Sequence, residues 1–394
     1  MNDLPLLSVI IATKNREEYC IEAIKSILTI PGEAIEITVA DNSETNKIEK
    51  FLQSNPSDRV IYQYDKSEIS SIENFNRAIG LSSGEYICLI GDDDTVLPDI
   101  LNIANWMKSN NIETVCSKKI INYFWPNAHI PQYNSGELVI PEFTGAKELL
   151  DVESTLEKLI RDGILNYQIY CLPRIYHGIV KRSVVERIKK KTGWYFGGLT
   201  PDIYSTVTLS CFVKKHYVVD YPFTIAGACP ASTSVASLTG GHSGVLESAP
   251  HFKDRGNYVW EKEIPRYYSV ETLWAETALK ALREMDRNDL ALKMNHYRFF
   301  TYAIYANRKY IFNLTLKETM KLYSPLNLNK YVFYLKLFSN MGFVTIGGLI
   351  SKIAKRVTKK TGAVLTKHAI LNLSDVTTAV KSYLLTNKLS FKNE

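Results

Sequence analysis

The stretch GEYICLIGDDDTVLP, residues 84–98, joins an apolar run to three consecutive carboxylates. Continuous apolar runs are typical of strands that are covered on both faces of a sheet. Residues 85–94 are therefore predicted to form a buried strand that ends in Asp92, Asp93 and Asp94. Ligands of open parallel sheets bind at the carboxyl ends of the strands. The triplet is therefore a candidate binding site.

The sequence before this stretch alternates predicted strands and helices. Residues 6–13 (LLSVIIAT), 35–42 (IEITVADN) and 60–64 (VIYQY) are predicted strands, and apolar residues at helical spacing lie between them. Ser70 and Glu73 form a capping-box pattern that opens a further helix. This βαβ rhythm predicts an α/β fold with a mostly parallel sheet and helices on both faces.

The sequence after residue 112 is less regular. We predict a strand over residues 114–125, a helix over 151–160, and a strand that turns into a helix over 177–188. Beyond about residue 250 the pattern is helical and rich in aromatic residues. A chain of 394 residues is expected to form two domains. A Gly/Ser-rich stretch around residues 237–248 predicts the boundary between a domain over 1–245 and a helical, basic domain over 246–394, with a mobile loop as the alternative.

Composition excludes several classes of protein. With 45% hydrophobic and 22% charged residues, the chain is not expected to be largely disordered. The six cysteines are never closer than 18 residues, which argues against a zinc site or disulfide framework and for a reducing compartment. The longest apolar stretch, residues 4–12, is too short to span a bilayer and lacks a basic leader. We therefore expect a cytoplasmic protein.

Charge is distributed unevenly along the chain. Residues 291–394 hold 17 lysines and arginines against three acids, a net charge of +14, whereas residues 1–290 have a net charge of −8. Residues 342–360 place apolar side chains at helical spacing among five basic residues, a pattern suited to an anionic membrane face. The alternative is a soluble helical domain with a solvated basic face. Nucleic acid is not an expected partner, because the front domain contains no recognised nucleic-acid-binding fold.

The acidic clusters allow two interpretations. Adjacent carboxylates are costly unless a cation neutralises them, and Mg²⁺ or Mn²⁺, shared with phosphate oxygens, is suited to that task. The alternative is a solvated turn before a helix near Pro98, with Asp94 as its cap. Asp41, at the end of the second predicted strand, has the same alternative of a plain turn.

Several segments together resemble one family. LLSVIIATKNR, ITVADNS and NFNRAIGLSSGEYICLIGDDDTVLP resemble the nucleotide-binding half of family 2 glycosyltransferases, of the bacterial surface-polysaccharide type, which have the GT-A fold. Order, spacing and local sequence agree over residues 6–98 and more loosely to about 235. Because no single motif carries it, this is a specific resemblance.

The resemblance implies a donor site at the ends of the first, second and fourth strands. The acid after the second strand, Asp41, would bind the uracil or ribose of a sugar nucleotide, and the triplet would bind ribose and a divalent metal on the diphosphate. Arg16 is placed to approach that diphosphate, although a solvated helix start is an equal alternative. The donor-binding residues implied are Ala12, Thr13, Arg16, Asp41, Asn76, Arg77, Asp92 and Asp93.

The acidic motif departs from the family pattern at one position. The usual pattern is Asp-x-Asp-Asp with a proline four residues after the last acid, which puts Gly91 where the first acid often stands. The roles must then be redistributed, and we assign the metal, Mn²⁺ or Mg²⁺, to Asp92 and Asp94. His242, on a glycine-rich loop, is a further candidate ligand, with an ordinary loop histidine as the alternative.

The segment LTPDIYS, residues 199–205, contains a candidate catalytic base. Thr200 is predicted to cap a helix that has Pro201 at its first position and Asp202 just inside. The helix dipole alone favours an acid there, so a structural role is the alternative. Family 2 enzymes carry an Asp or Glu in this region as catalytic base, so the resemblance implies that Asp202 deprotonates the acceptor hydroxyl, with inversion at the anomeric carbon.

The resemblance thus implies an inverting, metal-dependent glycosyltransferase that moves a sugar from a nucleotide-diphosphate donor, a UDP-sugar, to a growing surface glycan. A polyprenyl-linked acceptor would explain a peripheral location at the inner face of the cell membrane. One alternative is a sugar nucleotidyltransferase, disfavoured because ATKNR replaces the glycine-rich signature of that class. The other is a non-catalytic membrane-associated scaffold with a relic nucleotide pocket. The sugar, the linkage and any oligomer stay open.

Overall fold

The computed structural model describes the chain except residues 1–3, 127, 129, 131–132, 233–242, 253–254, 256–257, 342–363 and 393–394. Its strands in chain order are β1 (Leu7–Thr13), β2 (Ile35–Asp41), β3 (Val60–Tyr64), β4 (Tyr86–Ile90), β5 (Thr95–Val96), β6 (Thr114–Ser117), β7 (Ile121–Phe124), β8 (Glu137–Pro141), β9 (Lys147–Leu149), β10 (Gly178–Lys181), β11 (His216–Val219), β12 (Thr224–Ala228), β13 (Ser243–Gly244), β14 (Tyr268–Ser269) and β15 (Val364–Lys367).

The helices surround these strands. They are α1 (Glu17–Leu28), α2 (Lys47–Ser54), α3 (Ser71–Leu81), α4 (Ile100–Ser109), α5 (Val152–Arg161), α6 (Arg182–Thr192), α7 (Pro201–Ser210), α8 (Val270–Glu284), α9 (Asn288–Ala291), α10 (His296–Ala306), α11 (Phe312–Met320), α12 (described over 330–341) and α13 (Leu373–Thr386). Short 3-10 helices add to these, among them Tyr167–Tyr170.

The central sheet has eight strands in the order β3-β2-β1-β4-β10-β6-β11-β9. Strands β1 to β4 are parallel, and so are β6 and β11, whereas β10 runs antiparallel to both of its neighbours. The register of β1 and β2 sets Thr13 beside Asp41. A second sheet has the order β15-β8-β7-β12-β5. The predicted α/β fold with a mostly parallel sheet is confirmed.

Both faces of the central sheet are buried, as the apolar runs predict. In β1, Ile10 belongs to one hydrophobic cluster, while Val9 and Ile11 belong to the cluster on the opposite face. In β4, Leu89 belongs to the same cluster as Ile10, and Cys88 belongs to the same cluster as Val9 and Ile11. Side chains alternate along a strand, so a run with no polar residue fits only a strand covered on both sides.

Two predicted strands need correction. The single strand over 114–125 is two strands, β6 and β7, which lie in different sheets. Lys118 and Lys119 fall between them, at a bend where the chain leaves the central sheet. The strand over 85–94 ends at Ile90, so the three carboxylates lie in the turn after it.

The domain boundary near residue 245 stays a prediction. Several segments that follow it in the sequence pack onto elements that precede it. Helix α8 packs on α7, and β15 pairs antiparallel with β8 over residues 364–367. In α13, Val376 and Val380 are fully buried in the hydrophobic cluster that also contains Val9 and Ile11 of β1. In the part of the chain that the structure describes, no helix is both long and apolar enough to cross a membrane.

Candidate functional site

A cavity of about 650 Å³ opens at the carboxyl ends of β1 and β4. Its near wall comes from the end of β1, the start of α3 and the turn after β4. Its far wall comes from the 3-10 helix, the starts of α7 and α8, and the segment around Pro250. The predicted residues that line it are Ala12, Thr13, Arg16, Asp92 and Asp202.

Asp92 lies on the near wall and is held by the end of β1. Its Oδ2 accepts hydrogen bonds from Thr13 Oγ1 at 2.6 Å and Arg16 Nε at 3.0 Å. Its Oδ1 lies 2.5 Å from Arg16 Nη2, so the guanidinium pairs with both oxygens. Burial raises the pKa of Asp92 to about 7, although Arg16 opposes that shift. One carboxylate and one guanidinium thus meet at the cavity wall.

Asp94 points away from the cavity and fastens the turn. Its Oδ1 accepts from the Gly227 amide at 2.7 Å, and its Oδ2 accepts from the Gly91 amide at 2.6 Å. Tyr176 and His177 also contact Oδ2, at 3.2 Å and 3.1 Å. Although burial disfavours the charge, His177 and these donors hold the pKa of Asp94 below its ordinary value.

The same contacts explain the glycine at position 91. A Cβ there would lie 2.8 Å from Tyr176 Oη and 2.9 Å from Asp94 Oδ2, too close for either atom to stay in place. The acid that often stands here in the family pattern would therefore displace the network around Asp94. Gly91 is a requirement of this turn.

The fit of a divalent metal differs among the three acids. Asp92 faces the cavity, and Asp93 Oδ1 lies 3.7 Å from Arg16 Nη1. The other oxygen of Asp93 accepts from the Cys229 amide at 2.9 Å. Asp94 would have to give up backbone hydrogen bonds to bind a metal. Asp92 and Asp93 therefore fit a cation, whereas Asp94 does not.

The remaining proposed ligand cannot be placed. His242 lies outside the described residues. Within the described chain, no group of three or more His, Cys, Asp and Glu side chains is arranged to hold a metal ion.

Asp41 and Arg77 lie behind the cavity wall. Asp41 is fully buried, and its two oxygens accept from the Ser43 amide and the Tyr62 hydroxyl, both at 2.9 Å. Arg77 donates to the Asp41 carbonyl at 3.0 Å and pairs with Asp65 at 2.7 Å. The neighbouring Asn42 lines the cavity instead. Asp41 and Arg77 therefore shape the turn after β2 without lining the cavity themselves.

Asn76 does not line the cavity either. Its side chain donates to the Ile72 and Phe196 carbonyls and accepts from the amides of Tyr195 and Phe196. Asn74, which sequence reasoning missed, lines the cavity and donates to the Thr13 and Ala40 carbonyls at 3.2 Å. Its position on the helix could have indicated this role, because Asn74 lies one turn after Ser70, which also lines the cavity.

Asp202 lies on the far wall, in the first turn of α7. Pro201 occupies the first helical position as predicted, but the Thr200 side chain makes no capping hydrogen bond, so that prediction is wrong in this detail. The Tyr167 hydroxyl donates to Asp202 Oδ2 at 2.8 Å. Burial, together with the negative charge of nearby Asp202, raises the pKa of Tyr167 well above its ordinary value. Tyr167 therefore stays protonated and acts as a hydrogen-bond donor.

Aromatic residues complete the far wall. The Trp274 ring, from the start of α8, meets the Tyr167 ring edge to face, with centroids 4.9 Å apart. Sequence reasoning missed both residues, together with Gln168, Tyr176 and His251, which also line the cavity. The aromatic-rich pattern beyond residue 250 was a signal, but it did not single out Trp274.

The fold and this site define an α/β protein with a ligand cavity at the carboxyl ends of parallel strands. Residues 8–162 match the family described as glycosyl transferase family 2, in agreement with the resemblance seen in the sequence.

Two curated relatives resemble the front part of the chain. The putative colanic acid biosynthesis glycosyl transferase WcaA of Escherichia coli K12 is 30% identical over 105 residues, which are 26% of this chain and 38% of that protein. The abequosyltransferase RfbV of Salmonella typhimurium is 29% identical over 120 residues, which are 29% of this chain and 36% of that protein. The chain thus spans under two-fifths of either relative's length.

A solved structure, S. aureus TarS 1–349 in complex with UDP-GlcNAc, aligns with a TM-score of 0.49 and 13% identity, covering 85% of this chain and 89% of that one.

Proposed function

We propose that this protein transfers a sugar from a nucleoside diphosphate donor, a UDP-sugar, to a hydroxyl group of a growing surface glycan, with inversion at the anomeric carbon. One observation carries the proposal. A single cavity, formed in part by the segment that matches glycosyl transferase family 2, has Asp92 with Arg16 on one wall and Asp202 on the other. A charged donor group and an acceptor hydroxyl can therefore meet between them.

The near wall is suited to the nucleotide. Lys14 and Arg16 supply positive charge for the diphosphate, and the end of β1, at Ala12 and Thr13, supplies backbone beside it. Asn42 and Asn74 also line this wall, and their side-chain amides hold neighbouring backbone carbonyls in place. Asp41 contributes through the turn that it holds, because both of its oxygens already accept hydrogen bonds.

The far wall is suited to a base. Asp202 takes the proton of the acceptor hydroxyl while that oxygen forms a bond to the anomeric carbon. The bond from the anomeric carbon to the diphosphate oxygen breaks, and the nucleoside diphosphate leaves with the electron pair. Tyr167 fixes the orientation of Asp202 by its hydrogen bond. Holding both partners in one cavity supplies the alignment that a single displacement needs.

Mn²⁺ or Mg²⁺ is the proposed cofactor. Asp92 and Asp93 would hold it, after Arg16 exchanges its contact with Asp92 for the donor diphosphate. A bound divalent ion neutralises charge on the leaving diphosphate. Asp94 is left out of this set because four groups already contact its carboxylate. His242 stays a proposed ligand outside the described residues.

The acceptor is proposed to be a surface glycan, in lipid-linked form at the inner face of the membrane. The names of WcaA and RfbV, a colanic acid biosynthesis transferase and an abequosyltransferase, support a role in polysaccharide synthesis. The net charge of +14 over residues 291–394 supports attachment to an anionic leaflet. Residues 342–360, the basic amphipathic segment, lie outside the described residues.

A panel of nucleotide sugars, each with and without Mn²⁺, tests the proposed function by thermal shift. A ligand that binds only the folded state adds roughly 2.7 kcal/mol to stability at a hundred times its Kd. We expect one UDP-sugar to raise the melting temperature with Mn²⁺ and then to release UDP. Release of pyrophosphate from a nucleoside triphosphate and a sugar phosphate would instead indicate a nucleotidyltransferase. Stabilisation by every donor without turnover would indicate a scaffold.

A further inference from the structure

Helix α12, described over residues 330–341, is apolar on two opposite faces. Phe333 and Leu337 are fully buried on one face, where Phe333 packs near Tyr297 with ring centroids 5.7 Å apart. On the other face, Tyr331 is 82%, Leu335 73% and Phe338 48% exposed. Leu335 lies four residues after Tyr331, and Phe338 lies three residues after Leu335. This spacing places the three side chains in one stripe along the helix. The second face therefore lacks a partner within the described chain.

The exposed stripe has basic residues on both sides. At 100° per residue, Lys330 and Lys336 lie on opposite sides of the helix, about 80° and about 100° from the nearest residue of the stripe of Tyr331, Leu335 and Phe338. Neither lysine forms an ion pair with a described residue. The Lys330 ammonium lies 5.8 Å and 5.9 Å from the centroids of two tyrosine rings, and the Lys336 ammonium lies 5.7 Å from that of Tyr297. Glu318 is the only acid in 291–341, against eight lysines and arginines. The exposed face is therefore apolar along its centre, with one lysine on each side between the exposed and the buried face.

We propose that this stripe, Tyr331, Leu335 and Phe338 with Lys330 and Lys336, docks on an anionic lipid bilayer, with α12 lying in the membrane plane. Apolar side chains enter the interface, while the lysine stems extend so that their ammonium groups reach the lipid phosphates. The proposal deepens the membrane part of the proposed function, since it names the surface that would bring the cavity to a lipid-linked acceptor.

Charge favours a membrane over a second copy of this chain. In a two-fold contact the same patch meets itself, so the lysines of one protomer would face those of the other. An anionic leaflet instead supplies the opposite charge along the whole patch and an apolar layer beneath it. A nucleic acid would satisfy the lysines but would leave Leu335 and Phe338 exposed to water.

Flotation of the full-length protein with lipid vesicles tests the proposal. Vesicles of phosphatidylcholine alone are compared with vesicles that also contain phosphatidylglycerol. The triple variant Tyr331→Ser, Leu335→Ser, Phe338→Ser should bind the anionic vesicles at least about tenfold more weakly than the wild type. The matched control replaces three leucines exposed to a similar degree elsewhere: Leu149→Ser, Leu371→Ser, Leu385→Ser, which are 58%, 62% and 71% exposed. This control should bind as the wild type does.

A second variant separates charge from apolar contact. Lys330→Gln with Lys336→Gln should weaken binding to anionic vesicles and leave the residual binding less sensitive to salt, because fewer charges remain to be screened. Turnover of donor with a soluble acceptor should be unchanged in both variants. Loss of vesicle binding with retained turnover would therefore support the docking surface, and absent turnover with normal vesicle binding would overturn only the enzymatic proposal.

Three results would overturn the docking surface. One is equal flotation of the wild type and the triple variant. Another is a wild-type dimer in light scattering that the triple variant dissociates, without vesicle binding by either, which would identify a second copy as the partner. The last is a lowered melting temperature of the triple variant with unchanged flotation, which would show that another segment of the chain covers the stripe.

Discussion

Tyr167 and Asp202 meet across the far wall of the cavity, where the tyrosine hydroxyl donates to Asp202 Oδ2 at 2.8 Å. Tyr167 begins a 3-10 helix, while Asp202 lies in the first turn of α7. The residues that flank this 3-10 helix, Asn166 and Cys171, both have left-handed backbone conformations, with φ of 48° and 50°. The chain thus turns sharply on each side to present Tyr167 to the acid.

This contact predicts slower chemistry for Tyr167→Phe. The Tyr167 hydroxyl holds the Asp202 carboxylate in one orientation, and hydrogen bonds to charged groups contribute about 1.5–3 kcal/mol. Without this bond kcat should fall by about tenfold, whereas donor affinity should stay unchanged. Single-turnover kinetics and isothermal titration with donor measure the two quantities.

Tyr170→Phe is the matched control for this variant. Tyr170 ends the same 3-10 helix, but its hydroxyl donates to Asp162, at 2.6 Å, and it does not line the cavity. Its turnover should match that of the wild type. If the two variants slow turnover equally, Tyr167 acts through the stability of the 3-10 helix and does not position the base.

Asp202→Asn should retain donor binding but turn over about 10²–10⁴ times more slowly, the usual contribution of a positioned general base. The amide keeps the size of the side chain and can still accept from Tyr167, so the cavity should keep its shape. Isothermal titration with donor and single-turnover kinetics separate the two effects. Lost donor affinity with unchanged turnover of bound donor would reassign Asp202 to binding.

Replacing Asp92 or Asp94 with Asn should have different consequences. Asp92→Asn removes the carboxylate that faces the cavity, so Mn²⁺-dependent affinity for UDP should fall at least about tenfold. Asp94→Asn replaces the oxygen near His177 and Gly91 and should mainly lower the melting temperature. Calorimetry with UDP and Mn²⁺, beside thermal melts, distinguishes them. Abolished Mn²⁺-dependent binding in Asp94→Asn, with the fold intact, would return Asp94 to the metal site.

The raised pKa of Asp92, about 7, predicts how stability depends on pH. In the unfolded chain this acid loses its proton near its ordinary pKa of about 4, whereas in the folded protein it keeps the proton until about 7. The folded state therefore binds more protons in this window, and the free energy of unfolding should fall as pH rises from about 4 to about 7. Denaturant melts in EDTA, without donor, should show this slope, and Asp92→Asn should reduce it. An unchanged slope in the variant would contradict the assignment.

The parts of the fold that depend on neighbouring residues were predictable from sequence. Ser70 and Glu73 form the expected capping box, and the apolar run in β4 fixes a strand buried on both faces. The rule that ligands bind at strand ends selected Asp92, and the family resemblance added Thr13. The two side chains meet because β1 and β4 are adjacent and parallel.

The parts of the site that depend on distant contacts were not predictable. Asp94 is turned from the cavity by the Gly227 amide, more than a hundred residues later in the chain, and nothing in the triplet itself distinguishes it from Asp92. Tyr167 lies in an irregular segment without periodicity, and its partner, Asp202, is 35 residues away. Strand and helix patterns carry no information on such pairs.

The position of Trp274 leads to the last prediction. Its ring is partly exposed at the cavity, beside the Tyr167 ring that adjoins the proposed base. A flat aromatic face at this place is suited to packing against the apolar face of an acceptor sugar. Trp274→Ala should therefore raise the KM for the acceptor by about tenfold, since aromatic contacts of this kind contribute about 0.5–1.5 kcal/mol beyond the buried area. Donor affinity should change little.

Trp194→Ala is the control for Trp274→Ala, because Trp194 is 43% exposed but lies outside the cavity, where its indole donates to Tyr204 and Glu284. Both variants remove an indole, so a shared loss of stability would appear in both melts, whereas a raised acceptor KM should appear only in Trp274→Ala. An equal rise in KM in the two variants would contradict a direct contact between Trp274 and the acceptor. A loss of donor affinity confined to Trp274→Ala would place the donor sugar, and not the acceptor, against this ring.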